Sequence, residues 1–300
     1  MLLKKRIEFS GHAGAIYSIE GFEDFVFTSS GDSYVAKWNL KTGVQEKFSI
    51  KLNSSVYKIK LVKNNTVLIV GTSDGSIHIF DLNEKKELRH FIQHKSAIFE
   101  IEENIHQNHI YTSDSDGNLA VWDLESFDLL LFIPLNCGKI RHILINSDGR
   151  LIYLACQNGE IKIFETTFFN EIISFQAHEN GANYIIFHPT KNNIILSAGK
   201  DGNIKAWDII ENYKLKIKIP AHNYGIYKLD FFNDNLNLVS ISRDKSIKVW
   251  DSNTFEVLQK IERKQGGHSH AINSFWKKSE SEFVTVGDDK RIIYWEFDKI

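Results

Sequence analysis

Only three prolines, two cysteines and one methionine occur among 300 residues, and each scarcity closes a class of explanation. Cys137 and Cys156 have no disulfide framework around them, so a stapled secreted fold is excluded and a reducing compartment is expected. No apolar run approaches the roughly 18 residues of a membrane helix, and Met1-Leu2-Leu3-Lys4-Lys5-Arg6 is not a secretory leader. These absences predict a cytoplasmic protein with no membrane partner. Charge of one sign is missing too: 36 basic against 38 acidic residues leave a net charge of -2, which offers no global pull toward nucleic acid. Local runs such as Lys58-Ile59-Lys60 and residues 214–218 alternate basic with apolar residues, as solvated strand faces do. There is no phosphate-cradling glycine loop, dinucleotide fingerprint or CxxC pair, and no cofactor is expected. His106 and His109 share a short hairpin without a neighbouring carboxylate or thiol, so no metal is expected either.

What the chain has instead is a period. An aromatic residue follows an Asp or Asn by six positions at Trp38, Phe80, Trp122, Phe164, Trp207, Trp250 and Trp295, with spacings of 42, 42, 42, 43, 43 and 45 residues. Aligned on that aromatic, each copy reads as four short β segments divided by turn residues, too short and too β-branched for helices. In the fifth copy the segments run 182–187, 194–198, 204–209 and 215–219. The six-residue offset spans a hairpin, and Asp74-Gly75, Asp116-Gly117, Asn158-Gly159 and Asp201-Gly202 are dipeptides suited to a tight turn with positive φ.

Those residues resemble the WD40 family. The family's closing dipeptide stands in full at Trp122-Asp123, Trp207-Asp208 and Trp250-Asp251, its opening Gly-His at Gly11-His12 and Gly267-His268, weakened to Ala177-His178 and Ala221-His222. The resemblance covers the whole chain and implies an all-β, seven-bladed β-propeller of four-stranded antiparallel blades, one domain over residues 1–300. Closure is expected on separate grounds. After Trp295 too few residues remain for a fourth strand, while residues 2–9 look like the strands that precede the other His positions; the N-terminal strand should therefore complete the last blade.

Each turn Asp has a hydroxyl residue four positions earlier and a His about twenty earlier. The sets are His12, Thr28, Asp32, Trp38; His94, Thr112, Asp116, Trp122; His178, Ser197, Asp201, Trp207; His222, Ser240, Asp244, Trp250; and His268, Thr285, Asp289, Trp295. Ser, His and Asp together invite a hydrolase reading. Fivefold repetition, Thr in three sets, and a buried indole N–H in need of an acceptor argue for structure instead. The resemblance implies a buried relay in which Trp donates to the hydroxyl, the hydroxyl meets His, and His donates to Asp. Two copies lack it as a block: Leu52, Val70 and Phe80 replace it in one, Asn136, Leu154 and Phe164 in the other. Loss of the whole set is what a cooperative network produces.

A propeller of near-equal repeats has no spare domain, so function falls to its loops. In the family, partners meet the narrower face, three and five residues past the His slot and just before the turn Asp. Here those positions include Tyr17, Tyr57, Phe99, Tyr227, Lys139, Arg141, Lys200 and Arg243, an arc of aromatic residues with a basic end and small neighbours at Ala15, Ser55 and Ala97. Aromatic and Arg side chains dominate binding hot spots. The expected function is a non-enzymatic scaffold, monomeric in isolation, presenting that face to a protein or peptide. The alternative is an enzyme or small-molecule binder using the central channel, for which the sequence offers no convergent acids or metal ligands.

Overall fold

The computed structural model describes residues 2–298; Met1, Lys299 and Ile300, included in the expected 1–300 domain, lie outside the described residues. Its described strands form seven four-stranded antiparallel sheets, each built from consecutive segments except the last. Blades 1 to 6 span residues 16–51, 56–92, 98–134, 140–176, 182–220 and 226–261. Blade 7 takes Ile272–Lys277, Glu282–Gly287 and Arg291–Phe297 and is completed by Leu3–Ser10. The topology is that of a seven-bladed β-propeller. In blade 5 the strands Ala182–Phe187, Ile194–Gly199, Asn203–Asp208 and Lys214–Pro220 match the expected segments to within one residue at each end.

Burial follows residue type along each blade. Second strands such as Val67–Thr72 are buried at every position and read as apolar or hydroxyl residues, while fourth strands such as Lys86–Ile92 and Lys214–Pro220 mix charged and apolar residues and stay largely exposed. A strand covered on both faces must be apolar throughout; one at the rim needs only partial cover. The hairpin between second and third strands explains the Asp-Gly dipeptides. The residue after each turn Asp or Asn has positive φ, whether it is glycine (Gly75, Gly117, Gly159, Gly202) or Ser33, Lys245 and Lys290. At Gly75 the glycine is also sterically required, because a Cβ there would collide with the His94 carbonyl.

The N-terminal strand pairs antiparallel with residues 291–297, from Leu3 opposite Phe297 to Ser10 opposite Arg291, with a bulge at Arg6. Gln259 of blade 6 clips its start, accepting from the Leu3 amide at 2.7 Å and donating to the Leu3 carbonyl at 3.0 Å. Arg291 bonds Glu8 and Asp289, both at 3.0 Å. Closure through the N-terminal strand is as expected.

The chain divides into two compact units: Met1–Val56 with Ile186–Ala198 and Gly202–Ile300, and Tyr57–Ile185 with Gly199–Asp201. In the first, Phe9, Val284, Val286 and Ile292 of blade 7 pack with Ile16, Val26 and Trp38 of blade 1, and blade 6 packs on the opposite side of blade 7 through Phe232, Val239, Phe275 and Phe283. In the second, blades 2 and 3 share Ile69, Ile77, Ile101 and Trp122, and blades 3 and 4 share Tyr111, Val121, Ile143 and Leu154.

Candidate functional site

The expected relays are assembled from hairpin and loop residues that alternation turns inward. In blade 1 the Trp38 indole donates to Thr28 Oγ1 at 2.7 Å, Thr28 meets His12 Nε2 at 2.8 Å, and His12 Nδ1 meets Asp32 at 2.9 Å. Blade 6 repeats this through Trp250, Ser240, His222 and Asp244 at 2.9, 2.7 and 3.0 Å, and blade 7 through Trp295, Thr285, His268 and Asp289 at 2.8, 2.8 and 2.7 Å. In blade 5 Trp207 donates to Ser197 at 2.8 Å and His178 meets Asp201 at 3.0 Å. With Nδ1 protonated toward the carboxylate, Nε2 is left to accept the hydroxyl proton, so each hydroxyl oxygen is free to accept from the indole. In blades 1, 3, 6 and 7 the hydroxyl is buried and donates into the imidazole, so it is not an exposed nucleophile. Burial works to raise the Asp244 and Asp289 carboxyls, but the bonds from His222 and His268 outweigh it and hold both far below the usual carboxylate range.

Blade 3 corrects one assignment. His94 Nδ1 meets Asp114 at 2.7 Å, not Asp116, while Trp122 and His94 Nε2 reach Thr112 at 2.9 and 2.8 Å as expected. Asp116 is exposed. The reason lies in where the carboxylate must be. In blades 1 and 6 the turn Asp accepts from the amide two residues on, Tyr34 or Ser246, both at 3.0 Å. Asp114 accepts from the corresponding amide, Asn118, at 2.9 Å, and from the Asn118 side chain at 2.8 Å, so it fills the same position from two residues upstream. Blade 1 has Ser30 at that upstream place, accepting from the Asp32 amide at 3.2 Å; in blade 3 the Asp116 amide gives its bond to Asp114 at 3.0 Å. The alternating Asp114-Ser115-Asp116 offers two acids within reach, and spacing alone selects the wrong one.

A second correction concerns the first strands. Lys58 and Lys60 are half-buried and paired: Lys58 with buried Glu100, and Lys60 with Glu102 at 2.6 Å. Acids therefore do converge here, since Glu100, Glu102 and His142 each place a ligand atom within 4.8 Å of the others. Burial pushes the Glu100 carboxyl up against the pull of Lys58. The His142 ring lies 3.8 Å from that of Tyr184, and its Nδ1 accepts from the Ile185 amide at 3.4 Å, which leaves the proton on Nε2. Each carboxylate has an ammonium partner, so the cluster is an ion-pair ladder.

Four of the candidate docking residues share a backbone device. Register breaks between Ile16 and Ser18, Ile98 and Glu100, Ile140 and His142, and Ile226 and Lys228, which leaves Tyr17, Phe99, Arg141 and Tyr227 as the bulged residues of their first strands. A bulge re-aims its side chain out of the alternating pattern. In the second unit, Phe99 lies 5.7 Å from the Tyr57 ring, with Lys139 Nζ at 4.8 Å and Arg141 Cζ at 5.3 Å from its centroid. Burial, then the charges of Arg141 and Lys200, hold the Lys139 ammonium below the usual lysine range. In the first unit Tyr17 lies against Gly31, where an added Cβ would stand 3.2 Å from its hydroxyl, Tyr227 is half-buried and Arg243 exposed. The repeat period placed Phe99 beside Lys139 and Arg141 on one arc, and the structure adds that both cations stand over the Phe99 ring.

Comparison with known proteins agrees with this architecture. The family model described as Nucleolar protein 10-like, N-terminal domain, matches residues 20–169, and the WD domain, G-beta repeat model matches residues 169–208 and 213–251. Protein tipD of Dictyostelium discoideum is 21% identical over 98% of this chain and 49% of its own length. The WD repeat-containing protein 55 homolog of the same organism is 22% identical over 82% of the chain and 59% of its own length. The U3 small nucleolar RNA-associated protein 15 homolog of Gallus gallus is 19% identical over 74% and 41%. The chain thus spans 41% to 59% of the length of these relatives. The expected cytoplasmic location is overturned by these matches: the description of the family model and the name of the Gallus gallus relative are both nucleolar. Charge balance and cysteine content do not separate nucleolus from cytoplasm.

Proposed function

The chain belongs to the WD40-repeat β-propellers and, over residues 20–169, to the family described as Nucleolar protein 10-like, N-terminal domain; from that premise we propose that it is a non-enzymatic scaffold of a nucleolar protein assembly. One propeller domain over residues 1–300 presents the face carrying the first-strand bulges to a protein partner. The observation that carries the reading is the cluster in which Tyr57, Lys139 and Arg141 surround the bulged Phe99. Large rings with directed cationic donors, held by backbone geometry, make good binding hot spots. The five His sets serve the hairpins, and Glu100 and Glu102 of the first strands pair with Lys58 and Lys60, which supports binding over catalysis. With a net charge of -2, contact with RNA belongs to its protein neighbours.

The test is a co-purification from cells using the parent and the triple variant Tyr17→Ala/Tyr57→Ala/Arg141→Ala, with the fluorescently tagged chain imaged in parallel. Loss of co-purifying proteins with thermal unfolding unchanged, and nucleolar signal for the parent, are expected. Undiminished recovery by the triple variant overturns the docking face.

A further inference from the structure

We propose that His78 and His90 of blade 2 bind one divalent transition metal ion of the zinc, copper and nickel class, with Glu87 holding the His78 ring in the orientation that ligation needs. The site is separate from the bulged docking residues, so its test does not rest on the scaffold reading.

Three observations lead to it. Register is the first: His78 on the strand Ser76–Asp81 stands directly opposite His90 on the strand Lys86–Ile92, and their rings stack with centroids 4.2 Å apart and planes within 6° of parallel. The second is the carboxylate behind the ring. His78 Nδ1 donates to Glu87 Oε1 at 2.7 Å, which fixes the proton on that nitrogen and turns the Nε2 lone pair toward a ligand. A carboxylate that takes the far N–H of an imidazole orients the ring and raises its basicity, as it does behind metal-bound histidines in general. Availability is the third observation. His90 is exposed on the outer strand, and among the described residues its ring contacts His78 and takes no hydrogen bond, so its nitrogens are free to turn toward an ion.

Bond length decides that one ion serves both rings. Imidazole nitrogen binds zinc at about 2.0–2.1 Å, so two nitrogens up to about 4.2 Å apart can share it. Each lone pair lies in its ring plane; the exposed His90 therefore tilts out of the stack to meet the ion while Glu87 keeps His78 in place. Imidazole selects zinc, copper and nickel over calcium and magnesium, which take oxygen ligands, and water completes the coordination. The remaining clusters are committed elsewhere: Glu100 and Glu102 hold Lys58 and Lys60, and the His109 ring packs against Tyr111 and Phe169. An ion at His78 and His90 ties the outer strand of blade 2 to its neighbour, in one of the two blades that have no relay.

Calorimetric titration of the untagged full chain with Zn2+ tests this, with Ca2+ as the hard-cation control. The expected result is one Zn2+ bound by the parent, an affinity about tenfold or more lower in His90→Ala and in Glu87→Gln, no change in His106→Ala/His109→Ala, and no comparable binding of Ca2+. Zn2+ should also raise the thermal midpoint of the parent and not that of His90→Ala. Electron paramagnetic resonance of the Cu2+ form should show two imidazole nitrogens in the parent and one in His90→Ala. His90 is exposed, so His90→Ala folds and remains the deciding variant even where His78→Ala does not. Equal Zn2+ affinity in the parent and His90→Ala, Ca2+ binding as tight as Zn2+, or a single imidazole on Cu2+ in the parent overturns the site. Unchanged affinity in Glu87→Gln overturns the role given to that carboxylate.

Discussion

Blades 1, 6 and 7 close their hairpins with a buried Asp-His-hydroxyl-Trp relay; blades 2 and 4 close the same hairpin without one. In blade 2, Asp74 accepts from Thr72 Oγ1 at 2.5 Å and from the Ser76 amide at 3.2 Å, while Val70 and Phe80 occupy the hydroxyl and indole slots. In blade 4, Asn158 accepts from the Glu160 amide at 3.1 Å, and the buried, free Cys137 and Cys156 lie with Leu154 and Phe164 in the core. The bond from turn acid or amide to the amide two residues on is common to both kinds of blade. It makes the hairpin, and the relay is a second device that ties the hairpin to the loop before the blade. Because each relay member satisfies its neighbours, removing one leaves buried polar atoms unpaired, and the stable alternatives are a complete relay or an apolar block.

The sharpest break is His268→Ala. It strips the buried Thr285 and Asp289 of their shared partner and should cost about 3–4 kcal/mol in denaturant unfolding. His178→Ala should likewise destabilise the fold without reducing partner binding. A conservative change in blade 4, Cys156→Ala, should cost only about 1–2 kcal/mol. Equal losses in the two kinds of blade would erase the distinction. Gly199→Ala should cost about 2–3 kcal/mol, since its Cβ would collide with the His178 ring and the Asp201 carboxylate; a thermal midpoint equal to the parent's would remove that pair from the relay.

The corrected blade 3 assignment predicts a still finer contrast. Asp114→Asn should lose about 2 kcal/mol and Asp116→Asn less than about 0.5 kcal/mol, and the reverse order would restore Asp116 to the relay. Converting blade 1 wholesale with His12→Leu/Thr28→Val/Trp38→Phe should cost less than His12→Ala alone, as calorimetry of the two variants can decide. The smallest effect is on pH. Burial lowers the His222 pKa below the usual 6.5, and the bond from His222 holds Asp244 below the usual 3.8. For both groups the unfolded chain takes up the proton first on acidification. Their contribution is therefore complete above about pH 6.5, and the His222 part fades below that value while the Asp244 part fades below about pH 4. A blade 6 variant with His222→Leu/Ser240→Val/Trp250→Phe should show a shallower loss of stability from pH 7 to pH 3 than the parent; parallel curves would contradict the linkage.

How much of this was legible in the residues depended on the reach of each interaction. Trp295 to Thr285 and Asp74 to Ser76 are contacts within one hairpin, so a fixed offset along the chain marks them. Asp114 was missed because two acids at alternate positions both face a point that one amide and one imidazole define in space. Lys58 and Lys60 read as solvent-facing because strand alternation states which residues share a face, and says nothing about what covers that face. Residues 214–218 carry the same alternation on an outer strand, and there Lys214, Lys216 and Lys218 are exposed as the pattern implies.

The period, the turn chemistry and the grouped presence or absence of relay residues were enough to determine seven sheets, their strand boundaries and the role of the N-terminal strand, since all of these follow from backbone hydrogen bonding and side-chain alternation over short stretches. Only the folded chain decided that Asp114 serves His94, that Lys58 and Lys60 pair with Glu100 and Glu102, and that Lys139 and Arg141 both stand over Phe99. Each of those contacts depends on the distance and direction between side chains brought together by packing, and Coulomb and hydrogen-bond energies respond to that geometry.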